Sequence, residues 1–402
     1  MKRFIQILAP ADPPFTPMTF TRIPVVHRFW FGGLAAAAMG FPLGFGLWMW
    51  QHGIFTGEGH FFLFKLWHAR LQIEGFLGSF LLGFALQSGP HIAGGKPPPS
   101  KSLLWLFTLL WCGLTLSFVP LLEWLGAGLV SLAYGGAGYF LWVVTRDGNP
   151  ALRTPRGLPL ASAMTLMAIT PWLPLDDPGY ALFILWCGPV TMALVAAQQL
   201  IQNVLGGRLL QGRSGNIFAT SLLLAWLASG MAAFTAWGSW PLAGLCWLAT
   251  LAILIVGSDF IRAVWRFGWA SISITLTLGL LYGLQCVWLM LQKDWLPDMA
   301  VHLLGSALMT TLVIGVTVRV AGFFSAGAVL SDRVTSYLLI LWGVVALTRS
   351  YSPMTPMDEM WSVWMSLLGS LILLTWGVRT GYRLTQIHKL LPPTLLNKKM
   401  DA

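Results

Sequence analysis

The sequence predicts an all-α membrane protein, a bundle of about 12 transmembrane helices. Of its 402 residues, 56% are hydrophobic and only 9% are charged, whereas soluble domains carry about 25% charged residues. The apolar residues form runs of roughly 20 residues, which is the length that an α-helix needs to cross a bilayer. Basic residues collect between alternate runs. We therefore expect lipid, not water, to surround most of the chain.

Twelve apolar runs are candidate spans. The third and fourth are predicted to share a tight turn at Val119–Pro120, and the fifth ends near Pro171 and Pro174, where a proline disturbs a helix least. Residues 1–28 are predicted to form a cytoplasmic segment, 29–378 the bundle, and 379–402 a basic cytoplasmic tail. The predicted spans are 29–50, 61–87, 102–119, 121–144, 158–175, 180–204, 217–236, 240–258, 270–291, 297–318, 334–349 and 360–378.

The distribution of charge predicts the orientation of the bundle. With the N-terminus inside, the inner segments hold all 24 Lys and Arg residues except Lys65, Arg70, Lys293 and Arg349. Cytoplasmic loops collect Lys and Arg, so both termini are predicted to be cytoplasmic in a bacterial inner membrane. The net charge of +10 comes from basic residues that form no stripe or arm, which argues against nucleic acid as a partner.

The second span carries the densest set of polar groups. Ionisable residues inside a span are costly and therefore mark candidate sites. His68 and Gln72 lie one turn apart on one face, whereas Arg70 and Glu74 share another face and are predicted to pair at i,i+4. For a single histidine, a structural hydrogen bond is the alternative interpretation.

His302 strengthens the functional interpretation of His68. The tenth span begins at its outer end shortly before His302, so the two histidines are predicted to lie at similar depth on the outer side. Neutral imidazole is the usual axial ligand of haem and also binds copper. We therefore predict a haem between these helices that is held by one or both of His68 and His302.

Several further residues are weaker candidates. Arg319 follows His302 by 17 residues, about 25 Å of helix, and could neutralise a carboxylate or anchor to lipid phosphate. The outer loops offer possible copper ligands as exposed histidines and as methionines spaced three apart, whose thioethers suit Cu(I): His52, His60, Met354, Met357 and Met360.

Two segments resemble motifs of the NnrS family. The run WHARLQIEGFLGSFLLGFALQSGPHIAG at 67–94 is similar to that family's WHAHEMLFGF and GFLLTAxPNWTG, and HLLGSALMTTLVIGVTVRVAG at 302–322 resembles HALTxGAIGxMTLxVMxRxxLG. Residue by residue, His68, Gly75 and Phe76 match the first motif, and His302 and Arg319 match the second. The resemblance covers the architecture of the chain and about 50 residues of motif.

The resemblance implies a bacterial membrane protein associated with haem and copper and with protection from nitric oxide, distantly like the catalytic subunit of haem-copper oxidases. This sequence departs from the family pattern at four motif positions and lacks a histidine in the ninth span. Arg70 replaces the second histidine, Leu71 the acid (although Glu74 lies one turn on), His91 an asparagine, and Phe324 a later histidine. One haem is compatible with the remaining ligands; a complete haem–copper centre has lost several.

The sequence is compatible with three functions. The first is a haem-binding protein of nitric oxide metabolism or tolerance that could also bind copper. Arg70, Gln72 and Glu74 would surround the ligands, and Arg70 could pair with a haem propionate. Nitric oxide or a respiratory electron donor would be its partner. The second is a permease or metal-handling transporter, for which 12 spans are typical. The third is a non-catalytic assembly partner of a respiratory complex.

Overall fold

The structure is a computed structural model that describes residues 23–51, 60–235, 239–267, 270–292, 297–324, 332–351 and 359–390. In these residues the regular secondary structure is entirely helical, which confirms the predicted all-α class. The helices are α1 (Ile23–Gln51), α2 (Phe61–Ala93), α3 (Ser100–Leu116), α4 (Glu123–Asp147), α5 (Leu158–Leu166), α6 (Pro178–Asn203), α7 (Gly212–Phe234), α8 (Trp240–Gly257), α9 (Phe260–Phe267), α10 (Ser271–Leu291), α11 (297–324), α12 (Asp332–Tyr351) and α13 (Glu359–Leu390).

Ten helical segments of the described chain are long and apolar enough to cross a membrane. The two other predicted spans coincide with shorter helical segments: α3 has 17 residues, and α5 continues only as a 3₁₀ turn through Met167–Trp172. The regular α-helix ends at Leu166, before the predicted end of this span at residue 175, and Pro171 lies in the 3₁₀ turn that follows. The protein is therefore a multi-pass membrane protein.

Local sequence explains how neighbouring helices are joined. Pro120 opens a 3₁₀ turn, and the Leu122 N–H donates to the Val119 carbonyl at 2.8 Å, which forms the predicted tight turn between α3 and α4. At the start of α6 the Asp177 carboxylate accepts a hydrogen bond from the Gly179 N–H at 2.7 Å, a standard N-terminal cap. The turn at Pro120 lets α3 pack against α4, and elsewhere in the bundle α7 packs against α8 and α13 against α1.

Three helices form the centre of the bundle. In the apolar windows of α2, α6 and α11, 83%, 89% and 67% of the residues are buried, against 28–50% in the other seven long spans. The same three helices are each interrupted by a π-helical stretch, at Leu71–Leu77, Trp186–Val190 and Leu303–Met309. Interruptions of this kind are frequent at functional sites.

Each π-helical stretch in the three central helices has a hydroxyl bonded to one of its carbonyls. The wider turn disturbs the regular i→i−4 ladder, and a buried carbonyl needs a partner. The Thr191 hydroxyl donates to the Trp186 carbonyl at 3.0 Å and the Thr310 hydroxyl to the Gly305 carbonyl at 3.1 Å. In α2 the donor comes from α4, because the Tyr134 hydroxyl bonds the carbonyl of Glu74 at 2.9 Å. The interruptions are therefore supported by specific side chains.

Candidate cofactor site between the second and tenth spans

A cavity of about 100 Å³ lies where α1, α2, α6, α11 and α12 meet. Its walls include His68 of α2 and His302 of α11, the two histidines that the sequence predicts at similar depth. Apolar side chains from the three central helices make up much of the remaining wall, among them Ile73, Leu77, Ala181, Leu185 and Val301. The structure thus brings both predicted ligands to one cavity with a largely apolar wall.

His68 is held by the backbone of α1. Its Nδ1 lies 2.9 Å from the Gly40 carbonyl oxygen, and a nitrogen that faces a carbonyl must carry the hydrogen. Gly44, one turn further along α1, lets the imidazole pack directly on the helix backbone, because a Cβ there would lie 2.9 Å from Nδ1 and closer still to Cε1. The ring orientation is therefore fixed by two glycines of a neighbouring helix.

His302 is held in the same way by its own helix. Its Nδ1 lies 2.8 Å from the Asp298 carbonyl oxygen and 3.4 Å from the Asp298 carboxylate. In both histidines Nδ1 is thus the donor, and within the described residues neither Nε2 has a hydrogen-bond partner. Histidines that bind metals usually donate their other ring N–H to a carbonyl or carboxylate, which fixes the tautomer and leaves the second nitrogen for the metal.

Charged and polar groups complete the wall of the cavity. Lys65 of α2 and Arg349 of α12 contribute two cations, and Asp176 and Asp298 contribute two carboxylates. The Arg349 guanidinium also lies over the Trp48 ring, 5.4 Å from its centre. Gln72 lines the cavity, and its buried amide nitrogen has no hydrogen-bond partner in the described structure. The formal charges of these four charged side chains cancel, so the charge of the wall alone does not select an anionic ligand.

The donor set fits a haem or a metal ion, but the two groups differ in size. One water molecule needs about 10–15 Å³ on the scale of this cavity, so a cavity of about 100 Å³ holds several waters. A metal ion or a diatomic molecule enters such a space without rearrangement. A porphyrin is larger, so a haem requires the side chains that line the cavity, such as Gln72, to shift.

Two of the predicted site residues lie elsewhere. Arg70 pairs not with Glu74 but with Glu123 of α4, at 2.7 Å, and also donates to the Ser117 carbonyl at 3.3 Å. Glu74 is fully buried, and neither of its carboxylate oxygens has a hydrogen-bond partner among the described residues. Neither residue lines the cavity. The predicted i,i+4 pair is therefore wrong, because a carboxylate from another helix reaches the guanidinium first.

The remaining candidates do not join the site within the described residues. Among those residues no group of three or more His, Cys, Asp or Glu side chains is placed to hold a metal ion. His60 is exposed just before α2 and does not line the cavity. Arg319 lies in the second half of α11, but its side chain is outside the described part. His52, Met354, Met357 and the Met360 side chain also lie outside it.

Comparison with known proteins decides the family. The family model described as NnrS protein matches residues 23–386, from the first residue of α1 into α13. The chain belongs to the NnrS family. A search of curated proteins finds no match for it. The match confirms the resemblance carried by the two motifs around His68 and His302, and extends it to nearly the whole chain.

Some residues of this NnrS-family site were not predicted from the sequence. Gly40 and Gly44 stand four apart in α1, a spacing of small residues that signals close helix packing, but the sequence does not say which side chain fills the space. Lys65, Asp298 and Arg349 are recognisable as charges near predicted outer helix ends. Their convergence on one cavity depends on how α2, α11 and α12 pack.

The contact between Gly44 and His68 gives a direct prediction. A Gly44→Ala substitution places a methyl group against the imidazole and must displace the ring. We expect a loss of cofactor affinity of roughly 10–100-fold, the range for changes to groups that orient a metal ligand. Gly46→Ala is the matched control, because a Cβ at Gly46 meets no atom within 4 Å. Cofactor titration of both variants measures the difference, and equal affinities would show that the ring position does not matter.

Proposed function

We propose that this NnrS-family protein is a haem-binding integral membrane protein of nitric oxide metabolism or tolerance, with His68 and His302 as its ligands. The proposal rests on one observation: the His68 and His302 imidazoles have the same hydrogen-bond arrangement beside the same cavity. Each borders the same cavity, each has Nδ1 tied to a backbone carbonyl, and each has an Nε2 without a hydrogen-bond partner in the described structure. Metal-binding histidines usually adopt this arrangement, in which one ring nitrogen donates to a carbonyl and the other is left for the metal.

The chain's own residues have distinct tasks in this proposal. His68 and His302 hold the group through Nε2, and Asp298 keeps the His302 ring in one tautomer. Lys65 and Arg349 would face the carboxylates of a haem, a role that the sequence had suggested for Arg70. Haem bound there would supply a redox-active iron, and nitric oxide would have to displace one of the two imidazoles in order to bind it.

In this proposal the site lies on the outer side of the bacterial inner membrane. The excess of Lys and Arg in the predicted inner segments supports this orientation and a cytoplasmic position for both termini. The cavity then lies near the outer ends of α2, α11 and α12. A small gas reaches such a site directly through the lipid or from the outer face, and a respiratory electron donor would approach from the same face.

A single copper ion is the second candidate for the same two imidazoles. The size of the cavity favours it, because an ion needs no displacement of side chains. Imidazole suits copper as well as iron. Iron and copper analysis of the purified protein separates the two candidates, since only one of the metals should be present near one equivalent per chain.

The functional test uses a host that lacks this gene and is exposed to a nitric oxide donor. We expect the wild-type gene to restore growth and the His68→Ala/His302→Ala double variant to fail at equal protein level. His91→Ala is the control, because His91 is exposed near the end of α2 that is remote from the cavity. Full protection by the double variant would contradict the proposal. Metal uptake into vesicles, or co-purification with a respiratory complex without any cofactor, would support the transport or assembly function.

A further inference from the structure

Glu74 stands apart from every other carboxyl group in the described structure. It lies in the π-helical stretch of α2 and is the only described Asp or Glu that is buried, at 0% exposure. Both carboxylate oxygens are without a hydrogen-bond partner among the described residues. An ionisable group inside a membrane span is expensive and by default marks a functional site.

The surroundings of Glu74 favour its neutral form. The terminal nitrogens of the nearest cation, Arg70, are already bonded to Glu123 and to the Ser117 carbonyl. Because Glu123 balances that charge, an ionised Glu74 would add an uncompensated negative charge to the interior. A protonated carboxyl carries no such charge, and its desolvation is far less costly.

The nearby Arg70 side chain can also stabilise the ionised form of Glu74 after the carboxyl group has lost its proton. The Nε of Arg70 is buried and has no hydrogen-bond partner in the described chain, and Arg70 is close enough for its charge to act on the Glu74 carboxyl. Tyr134, from α4, is the other titratable group that faces it, and its hydroxyl is used by the Glu74 backbone carbonyl. Within the described residues, α1, α3 and α11 pack on this stretch without adding a charge that acts on the carboxyl. Arg70 is thus the cation that could pair with an ionised Glu74 carboxylate.

We propose that Glu74 is a proton-binding site inside the membrane: a carboxylic acid that holds a proton at rest, exchanges it next to Arg70, and reacts with hydrophobic carbodiimides. The site is separate from the histidine cavity, which Glu74 does not line. The proposal therefore does not depend on a cofactor at His68 and His302.

The reaction with dicyclohexylcarbodiimide detects a protonated carboxyl group, such as the one proposed for Glu74. The acid adds across one C=N bond: its proton goes to a nitrogen, and its oxygen bonds to the central carbon. The acyl group then moves from that oxygen to the other nitrogen, which gives a stable N-acylurea. No atom leaves, so the peptide gains the mass of one reagent molecule. An ionised carboxylate lacks the proton that starts the addition, and a water-excluded site prevents hydrolysis of the first adduct.

The experiment treats the full-length protein in liposomes with dicyclohexylcarbodiimide and, separately, with a water-soluble carbodiimide, and maps adducts by peptide mass spectrometry. We expect the hydrophobic reagent to label Glu74, the water-soluble reagent to leave it unlabelled, and labelling to fall as the pH is raised. Glu74→Gln should lose that adduct completely, whereas Asp147→Asn, which alters an exposed carboxyl, should keep it.

Two results would overturn the proposal. One is the absence of a Glu74 adduct in wild-type protein when a carbodiimide-sensitive membrane protein in the same liposomes is labelled. The other is an adduct on Glu74 only after an Arg70→Gln substitution, which would mean that Glu74 is an ionised partner of Arg70 at rest. Both results come from wild-type protein or from the Arg70 variant, so they stand even if Glu74→Gln fails to fold.

Discussion

Replacing His68 or His302 with glycine should remove most of the haem from the purified protein, and free imidazole should restore it. Loss of a group that merely orients a metal ligand costs 10–100-fold in affinity, so loss of the ligand itself should cost more than about 100-fold. Glycine leaves a hole of the shape of the ring beside the Gly40 carbonyl or the Asp298 carbonyl. Imidazole can occupy that hole and present the same nitrogen.

The measurement for this prediction is a haem titration followed at the Soret band, with and without imidazole. His91→Gly is the control, since it removes an exposed histidine of the same helix, and it should bind haem like the wild type. Unchanged binding in both cavity variants would eliminate these histidines as ligands. A loss in only one variant would identify a single-ligand site, with one position open for nitric oxide.

Removing the Glu123 carboxylate is expected to destabilise the protein by about 2 kcal/mol, through the charge that it leaves behind on Arg70. The Arg70 side chain is only 6% exposed, and Glu123, at 46%, is its ion-pair partner at 2.7 Å. Breaking a fully buried pair costs about 3–5 kcal/mol, and the half-exposed carboxylate justifies a lower figure because water screens part of the interaction.

The matched control is Asp147→Ala. Asp147 pairs with Arg146 at 2.9 Å, but both side chains are exposed, at 56% and 74%, so its loss should change stability by less than about 0.5 kcal/mol. Denaturant or thermal unfolding in one detergent compares Glu123→Ala with Asp147→Ala. Equal stability of the two variants would mean that Arg70 finds another partner, for which Glu74, one turn away, is the obvious candidate.

Much of the fold can be predicted from the sequence because each helix that crosses the bilayer must be long enough and apolar enough to do so. Length, apolarity and loop charge are local properties, so all 12 predicted spans coincide with helical segments, even though α3 and α5 are shorter than the rest. The identity of the three central helices could not be predicted. The run that forms α8 is as apolar as the one that forms α6, and only packing decides that α6 is buried and α8 faces outward.

The site was only partly predictable for a similar reason. Counting residues from helix ends placed His68 and His302 on one side, and the structure puts them on one cavity. The partner of Arg70 is 53 residues away on another helix, whereas an i,i+4 argument considers only residues one turn apart. The π-helical stretches also change the register beyond His68 and His302, and no spacing rule in the sequence reports them.

The optical spectrum of the intact wild-type protein, purified from haem-sufficient cells, tests the central claim most directly. The spectrum is recorded oxidised and after reduction with dithionite, together with the iron content per chain. A cofactor held by His68 and His302 predicts a Soret band that shifts on reduction and about one iron per chain. Protein that folds, stays in the membrane and carries neither a Soret band nor iron would contradict the haem assignment and leave copper or no cofactor in the cavity.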